Sequence, residues 1–220
     1  MADQDMMMTK AKDFWTRNSK KIIAVCSVII IAAGAYIVYQ NFIVGPKKKK
    51  SDESIFKAEE YFRKDSLNLA LNGDGFNPGF LKIIDKYSGT PAANLANFYA
   101  GACYVKLDDN EKALKYLKKF DGGSEPIQAR AYKLMGDAYG DLGKNKEAFD
   151  SYKKAASTFA DDDNGSAESL FFAAYIAQNS LNDTKTAIEL YKELKDKYPM
   201  TPQGRQSEAY LAQLGVYNSN

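Results

Sequence analysis

Displaced by 35 residues, one segment of this chain falls on another: Gly101, Tyr104, Ala113 and Leu117 take the places of Gly136, Tyr139, Ala148 and Tyr152. The later segment, 129–159, reads as two amphipathic helices around one short turn. Its first helix sets Tyr132, Met135, Gly136 and Tyr139 at the i, i+3, i+4, i+7 spacing of a buried face. Its second carries Ala148, Tyr152, Ala155 and Phe159 on one face, and Gly143 and Asn145 fall between the two. Gly136 and Ala148 predict a small-on-small contact that lets the helices cross closely. A helical pair with one apolar face cannot bury that face alone, so a chain that repeats the pair is constrained to stack it.

The repeat extends both ways. Toward the N-terminus, 94–120 is the clearest copy, with Leu107 to Asn110 answering the turn from Leu142 to Asn145. Toward the C-terminus, Phe171, Ala174, Ala187, Tyr191, Leu194 and Pro199 keep the pattern. There Tyr175 falls on the small-residue position and Gln178 on the tyrosine position, which predicts a wider helix crossing. An irregular pair precedes them: a helix over about 52–71 with Ile55, Ala58, Tyr61 and Phe62 on one face, a long turn over 72–79, and a helix through Phe80, Ile83, Ile84 and Tyr87. Thr90 is the expected N-cap of the following helix, with Pro91 at its first position. Thr201 and Pro202 open a last helix over 203–214, polar on one face, that suits the end of a stack. Residues 218–220 are expected to fray. No alternating strand pattern of useful length occurs, so the fold class is all-α.

Ahead of the repeats, the segment from Ile22 to Val44 carries no charge. As a helix it would span roughly 34 Å at about 1.5 Å per residue, enough for a bilayer. Tyr36, Tyr39 and Phe42 crowd its end, where amphipathic rings settle among headgroups. Ala33, Gly34 and Ala35 have the form of a leader-peptide cleavage site, but the apolar run continues past them, as it does in an uncleaved anchor. The layout is therefore a basic N-terminal tail, 1–21; a transmembrane helix, 22–44; a lysine-rich linker, 45–53; and an α-solenoid of helical hairpins with a capping helix, 54–220. Basic residues flank both ends of the run: Lys10, Lys12, Arg17, Lys20 and Lys21 before it, Lys47, Lys48, Lys49 and Lys50 after it. The charge rule for orientation is thus divided. A short basic tail before an uncleaved first helix favours a cytoplasmic N-terminus, and the four later lysines could lie against anionic lipid.

Charge and residue usage exclude several function classes. Of 30 Lys and Arg and 28 Asp and Glu, the tail, apolar run and lysines hold nine and three, which leaves the body mildly acidic. That argues against nucleic acid as a partner. The chain has no His, which removes histidine-based zinc sites and the Ser-His-Asp and Cys-His triads. Its two cysteines, Cys26 and Cys103, are too far apart in the layout to form a disulfide framework. Asn72 to Gly79 lacks the strand and the Gly-Lys-Ser/Thr of a phosphate loop. The run Asp161, Asp162, Asp163 lacks the Gly and Glu that a calcium loop needs at its sixth and twelfth positions, where Ser166 and Phe172 stand. Both read as turns. No cofactor and no enzymatic activity are expected.

Tyr132, Met135, Gly136, Tyr139, Ala148, Tyr152 and Ala155 together resemble the tetratricopeptide repeat. That resemblance implies a groove lined by the first helix of each pair. Carried over by position, the groove residues are Leu95, Phe98 and Ala102, then Arg130, Lys133 and Asp137, then Ser169, Phe172 and Ile176. Apolar ends flanking a charged centre suit a partner helix or extended segment with an apolar stripe. The family's clamp for a terminal carboxylate needs Asn where Asp137 stands, which argues against that ligand. The layout as a whole resembles the bacterial membrane-anchored tetratricopeptide-repeat proteins typified by the ancillary subunit of the Sec translocon. That resemblance implies an inner-membrane protein with a periplasmic body, a scaffold near translocated chains that meets the translocon or a membrane-tethered chaperone. The alternative is an adaptor whose body is cytoplasmic and recruits soluble factors.

Overall fold

The computed structural model describes residues 2–217; the expected fraying of 218–220 lies outside the described residues. The chain divides into two units, Met1–Lys50 and Ser51–Asn220. In the first, α1 runs over Ala2–Tyr39 and a π-helical turn follows over Gln40–Val44. Pro46 has no N–H to give the carbonyl of Phe42, and the widened turn, closed by the Gly45 N–H on the Gln40 carbonyl, stands directly before it. The apolar side chains of this unit are exposed, from Ile23 to Ile43. Helix over Met6–Arg63 is long and apolar enough, by length and composition, to cross a membrane.

The segment expected to be a linker, 45–53, is helical instead, within α2 over Gly45–Arg63. Pro46 sits where a helix start tolerates it, and the Lys, Glu and Ala that follow are good helix formers, so nothing there breaks a helix. The unit boundary between Lys50 and Ser51 falls inside this element. The helix expected to reach residue 71 ends at Arg63. Asp65 adopts a left-handed φ of 56°, and the Ser66 and Asp65 N–H groups return to the carbonyls of Tyr61 and Phe62. This double hydrogen bond is the closure that satisfies the last carbonyls of a helix.

The second unit continues through α3 over Leu67–Asn72 and α4 over Phe80–Lys86. Three hairpins follow: α5 over Pro91–Lys106 with α6 over Asn110–Leu117, α7 over Glu125–Asp141 with α8 over Asn145–Thr158, and α9 over Asp163–Asn179 with α10 over Thr184–Lys197. α11 over Pro202–Gln213 packs on α10 and α9. No strand occurs among the described residues; Gly73 and Pro78 form one isolated bridge. Thr90 caps α5 through a hydrogen bond from the Ala93 N–H, with Pro91 at its first turn, and Thr201 caps α11 in the same way. Asp108 and Gly143, 35 residues apart, hold left-handed φ values of 57° and 69° in the two inter-helix turns, so the repeat holds in backbone conformation as well as in sequence.

Two apolar clusters form inside this unit. One joins Ile55, Ala58, Leu71, Phe80, Ile83 and Cys103; the other runs from Ala113 and Leu117 through Ala148, Tyr152 and Leu170 to Tyr191 and Leu211. The nearest neighbour of Gly136 is a large side chain. A Cβ there would lie 2.8 Å from the Tyr152 ring; on the equivalent Gly101 it would lie 2.5 Å from Leu117 and 3.2 Å from the carbonyl oxygen of Ala113, the counterpart of Ala148. The glycine makes room for the large side chain at the centre of the second helix.

In the third hairpin Tyr175 is 46% exposed while Ala174 beside it is fully buried. A small residue does face the core there, one position earlier than the repeat register predicts, and the tyrosine turns outward.

Candidate functional site

The first helices of the second and third hairpins, α7 and α9, stand apart across a shallow cleft of about 100 Å³. Its floor is Ala155 of α8 and Phe159 just beyond its end, and its walls carry Ala129, Arg130 and Lys133 on one side with Gly165, Ser166 and Ser169 on the other. The polar atoms of the α9 wall are already engaged. Ser166 Oγ donates to the Phe159 carbonyl at 3.0 Å, Ser169 Oγ donates to the Gly165 carbonyl at 2.8 Å, and Asp162 accepts the Gly165 N–H at 3.0 Å as the helix cap. The cleft offers an outside molecule apolar floor and the exposed guanidinium of Arg130 at its rim.

Lys133 ties the two walls together. Its Nζ stands 3.5 Å from Glu168 of α9 and 3.6 Å from Asp137 on its own helix, and 5.6 Å above the Phe172 ring. These groups are partly solvated, so each ion pair is worth at most about 1 kcal/mol; they bridge α7 and α9, whose spacing is set by the packing of both on α8. Asp137 is held from below as well, where Tyr152 Oη donates to its carboxylate at 2.7 Å. Burial, and then this carboxylate, push the Tyr152 hydroxyl well above the usual tyrosine pKa.

The nine positions carried over by resemblance separate into two sets. Leu95, Phe98, Lys133, Asp137 and Phe172 are half-buried and Arg130 is exposed, whereas Ala102, Ser169 and Ile176 are buried at 6%, 2% and 9% exposure. For Ser169 and Ile176 the cause is the register slip at Ala174. Moving the third hairpin by one residue puts Glu168 and Tyr175 on the accessible face, and Glu168 is the residue that meets Lys133. Phe98 and Phe172 are not free anchors. Phe98 packs on Tyr99 and Phe120 at 5.4 and 5.5 Å between ring centroids, and Phe172 stacks on Tyr152 at 5.2 Å. The signal for the slip was the adjacent pair Ala173 and Ala174, either of which supplies a small residue where Tyr175 does not.

Among the described residues no cluster of three or more Asp, Glu or Cys could hold a metal ion. Cys103 is fully buried, and burial pushes its thiol up to about 12, which makes it inert as a nucleophile.

Stacked helical hairpins with a cleft between their first helices define a helical-repeat protein. The tetratricopeptide-repeat family model matches residues 95–120 and 168–199, so the chain carries tetratricopeptide repeats on both sides of the hairpin over 125–158. No curated protein matches the chain. Repeats of this family point to protein–protein interaction, and nothing in the described residues points to an enzyme.

Proposed function

We propose that this protein is a single-pass, membrane-anchored scaffold that captures a polypeptide partner in the cleft between α7 and α9. The observation that carries this is the cleft itself: its floor is apolar, the serine hydroxyls of its α9 wall are already hydrogen-bonded and the Arg130 guanidinium stands exposed at its rim, an arrangement suited to receiving a side chain rather than reacting with one. An apolar stripe on a partner helix or extended segment fills the floor, and an acidic residue beside it meets Arg130. Arg130→Glu in the full-length protein is expected to weaken capture of membrane partners while leaving thermal unfolding unchanged. Unchanged capture by a folded variant would overturn the cleft as the binding site.

The uncharged segment from Ile22 to Val44, with exposed apolar side chains, supports an anchor, and Lys47, Lys48, Lys49 and Lys50 supply contact with anionic lipid. On this reading the N-terminus lies in the cytoplasm of a bacterial inner membrane and the repeats lie in the periplasm, an orientation that the short basic tail supports. In that setting the scaffold serves as an ancillary subunit of the Sec translocon, acting with a membrane-tethered chaperone on translocated chains. The four lysines after the run favour a second reading, in which the body is cytoplasmic and recruits soluble factors to the membrane. A translocon component cross-linked to the body in intact cells supports the first; only cytoplasmic adducts would support the second.

A further inference from the structure

Phe76 is 98% exposed, yet it stands on a loop that is tightly pinned. The carboxylate of Asp74 accepts four hydrogen bonds: from the N–H groups of Phe76 and Asn77 at 2.8 and 2.6 Å, from Asn77 Nδ2 at 2.8 Å, and from Tyr61 Oη at 2.7 Å. The bridge between Gly73 and Pro78 closes its base. A Cβ at Gly73 would fall 2.2 Å from the Asn77 carbonyl oxygen, and Gly73 holds a left-handed φ of 85°, so the turn depends on glycine there. A single exposed ring is common on protein surfaces, but this one is held out by a rigid frame, and what lies beside it decides what it can meet.

The surroundings select the occupant. The cleft beside Phe76 is lined by Lys82 and Lys86, both exposed, and by Ser54 and Tyr87; no carboxylate lines it, and Asp74 is spent on the loop. Ring and cations together match an anionic bilayer surface, where aromatic rings settle at headgroup depth and lysines meet phosphates. Chain length lets the site reach such a surface. Nine residues lie between Val44 and Ser54, and their ten steps span at most about 35 Å. We propose that the loop over 73–79 is a second membrane contact, in which Phe76 enters the headgroup layer of an anionic bilayer with Lys82 and Lys86 on its phosphates. This rests on the anchor reading above.

The chain has one tryptophan, Trp15, so the full-length protein with Trp15→Phe and Phe76→Trp carries a single fluorescent reporter at the loop tip. Reconstituted in phosphatidylglycerol vesicles, that reporter is expected to emit with a blue shift and to be quenched by lipids brominated near the headgroup. Both effects should be lost with Lys82→Ser and Lys86→Ser and reduced in phosphatidylcholine. Emission typical of water without quenching, or equal quenching in neutral lipid, would overturn the proposal. Carbonate extraction of the same vesicles reads the anchor separately. A reporter that is not quenched in a chain that resists extraction removes the loop contact alone, and a quenched reporter in a chain that is stripped upholds the loop and removes the anchor.

Discussion

Gly136 faces the ring of Tyr152: a Cβ built on the glycine would stand 2.8 to 2.9 Å from three ring atoms. The second hairpin is therefore organised as a large ring on α8 received by a missing side chain on α7. Gly136→Leu is expected to cost about 1–3 kcal/mol, as overpacking does, because the ring is itself enclosed and cannot retreat. Gly101→Leu should cost a similar amount against Leu117. Urea unfolding of each variant measures this, and midpoints equal to wild type would remove the contact from the account.

Tyr152 also donates to Asp137, which in turn faces Lys133. Tyr152→Phe keeps the ring and loses that bond to a charged acceptor, an expected cost of about 1.5–3 kcal/mol near neutral pH. The hydroxyl pKa is raised by folding, so this stability is fully present below the unfolded tyrosine value near 10 and is lost as pH rises beyond it. The gap between wild type and Tyr152→Phe should thus narrow in alkaline solution. A gap that widens above pH 10 would contradict the assignment.

The helical pairing and the turn at Gly143 were legible from the 35-residue spacing, and the caps at Thr90 and Thr201 from the Thr-Pro pair that opens each helix, because all depend on local rules. What spacing could not give is which neighbour a side chain meets. Gly136 was matched with Ala148 because both are small, whereas the packing pairs small with large. Tyr175 was placed inward by counting from the previous repeat, but burial of Ala174 costs less than burial of a tyrosine hydroxyl, and the helix turns accordingly. That one-residue slip buries Ile176 and leaves Ser169 covered within the α9 wall of the cleft. Residues 45–53 read as a linker from their charge, although charge alone does not break a helix.

Phe98 and Phe172 show the same limit. Read from position they are groove anchors that could be made polar without harm; in the structure each sits in an aromatic stack. Phe98→Ser with Phe172→Ser is expected to lower stability by roughly 2–4 kcal/mol, less than the loss of fully buried rings, since both are half-exposed. Melting curves of the double variant beside Arg130→Glu check this, and a double variant that melts with wild type would return both residues to the surface.

Asp74 is held well below the usual carboxylate range by the Asn77 N–H first, then by Tyr61 and the Asn77 side chain. A carboxyl lowered by folding contributes stability that is present above its unfolded value near 3.8 and is lost as pH falls through the folded one. Asp74→Asn should therefore lower the melting temperature at neutral pH, and the difference should close in acid below the range in which the wild-type carboxylate survives. A difference independent of pH would mean that the charge of the Asp74 carboxylate is not what holds the loop.

Protease treatment of intact spheroplasts, followed through an epitope after Asn220, tests most directly that one apolar helix holds the repeat body outside the cytoplasm. The account predicts that the epitope and the repeats are digested from outside while a short N-terminal fragment containing Ile22 to Val44 stays with the membrane. A body that remains whole until the inner membrane is lysed would contradict it.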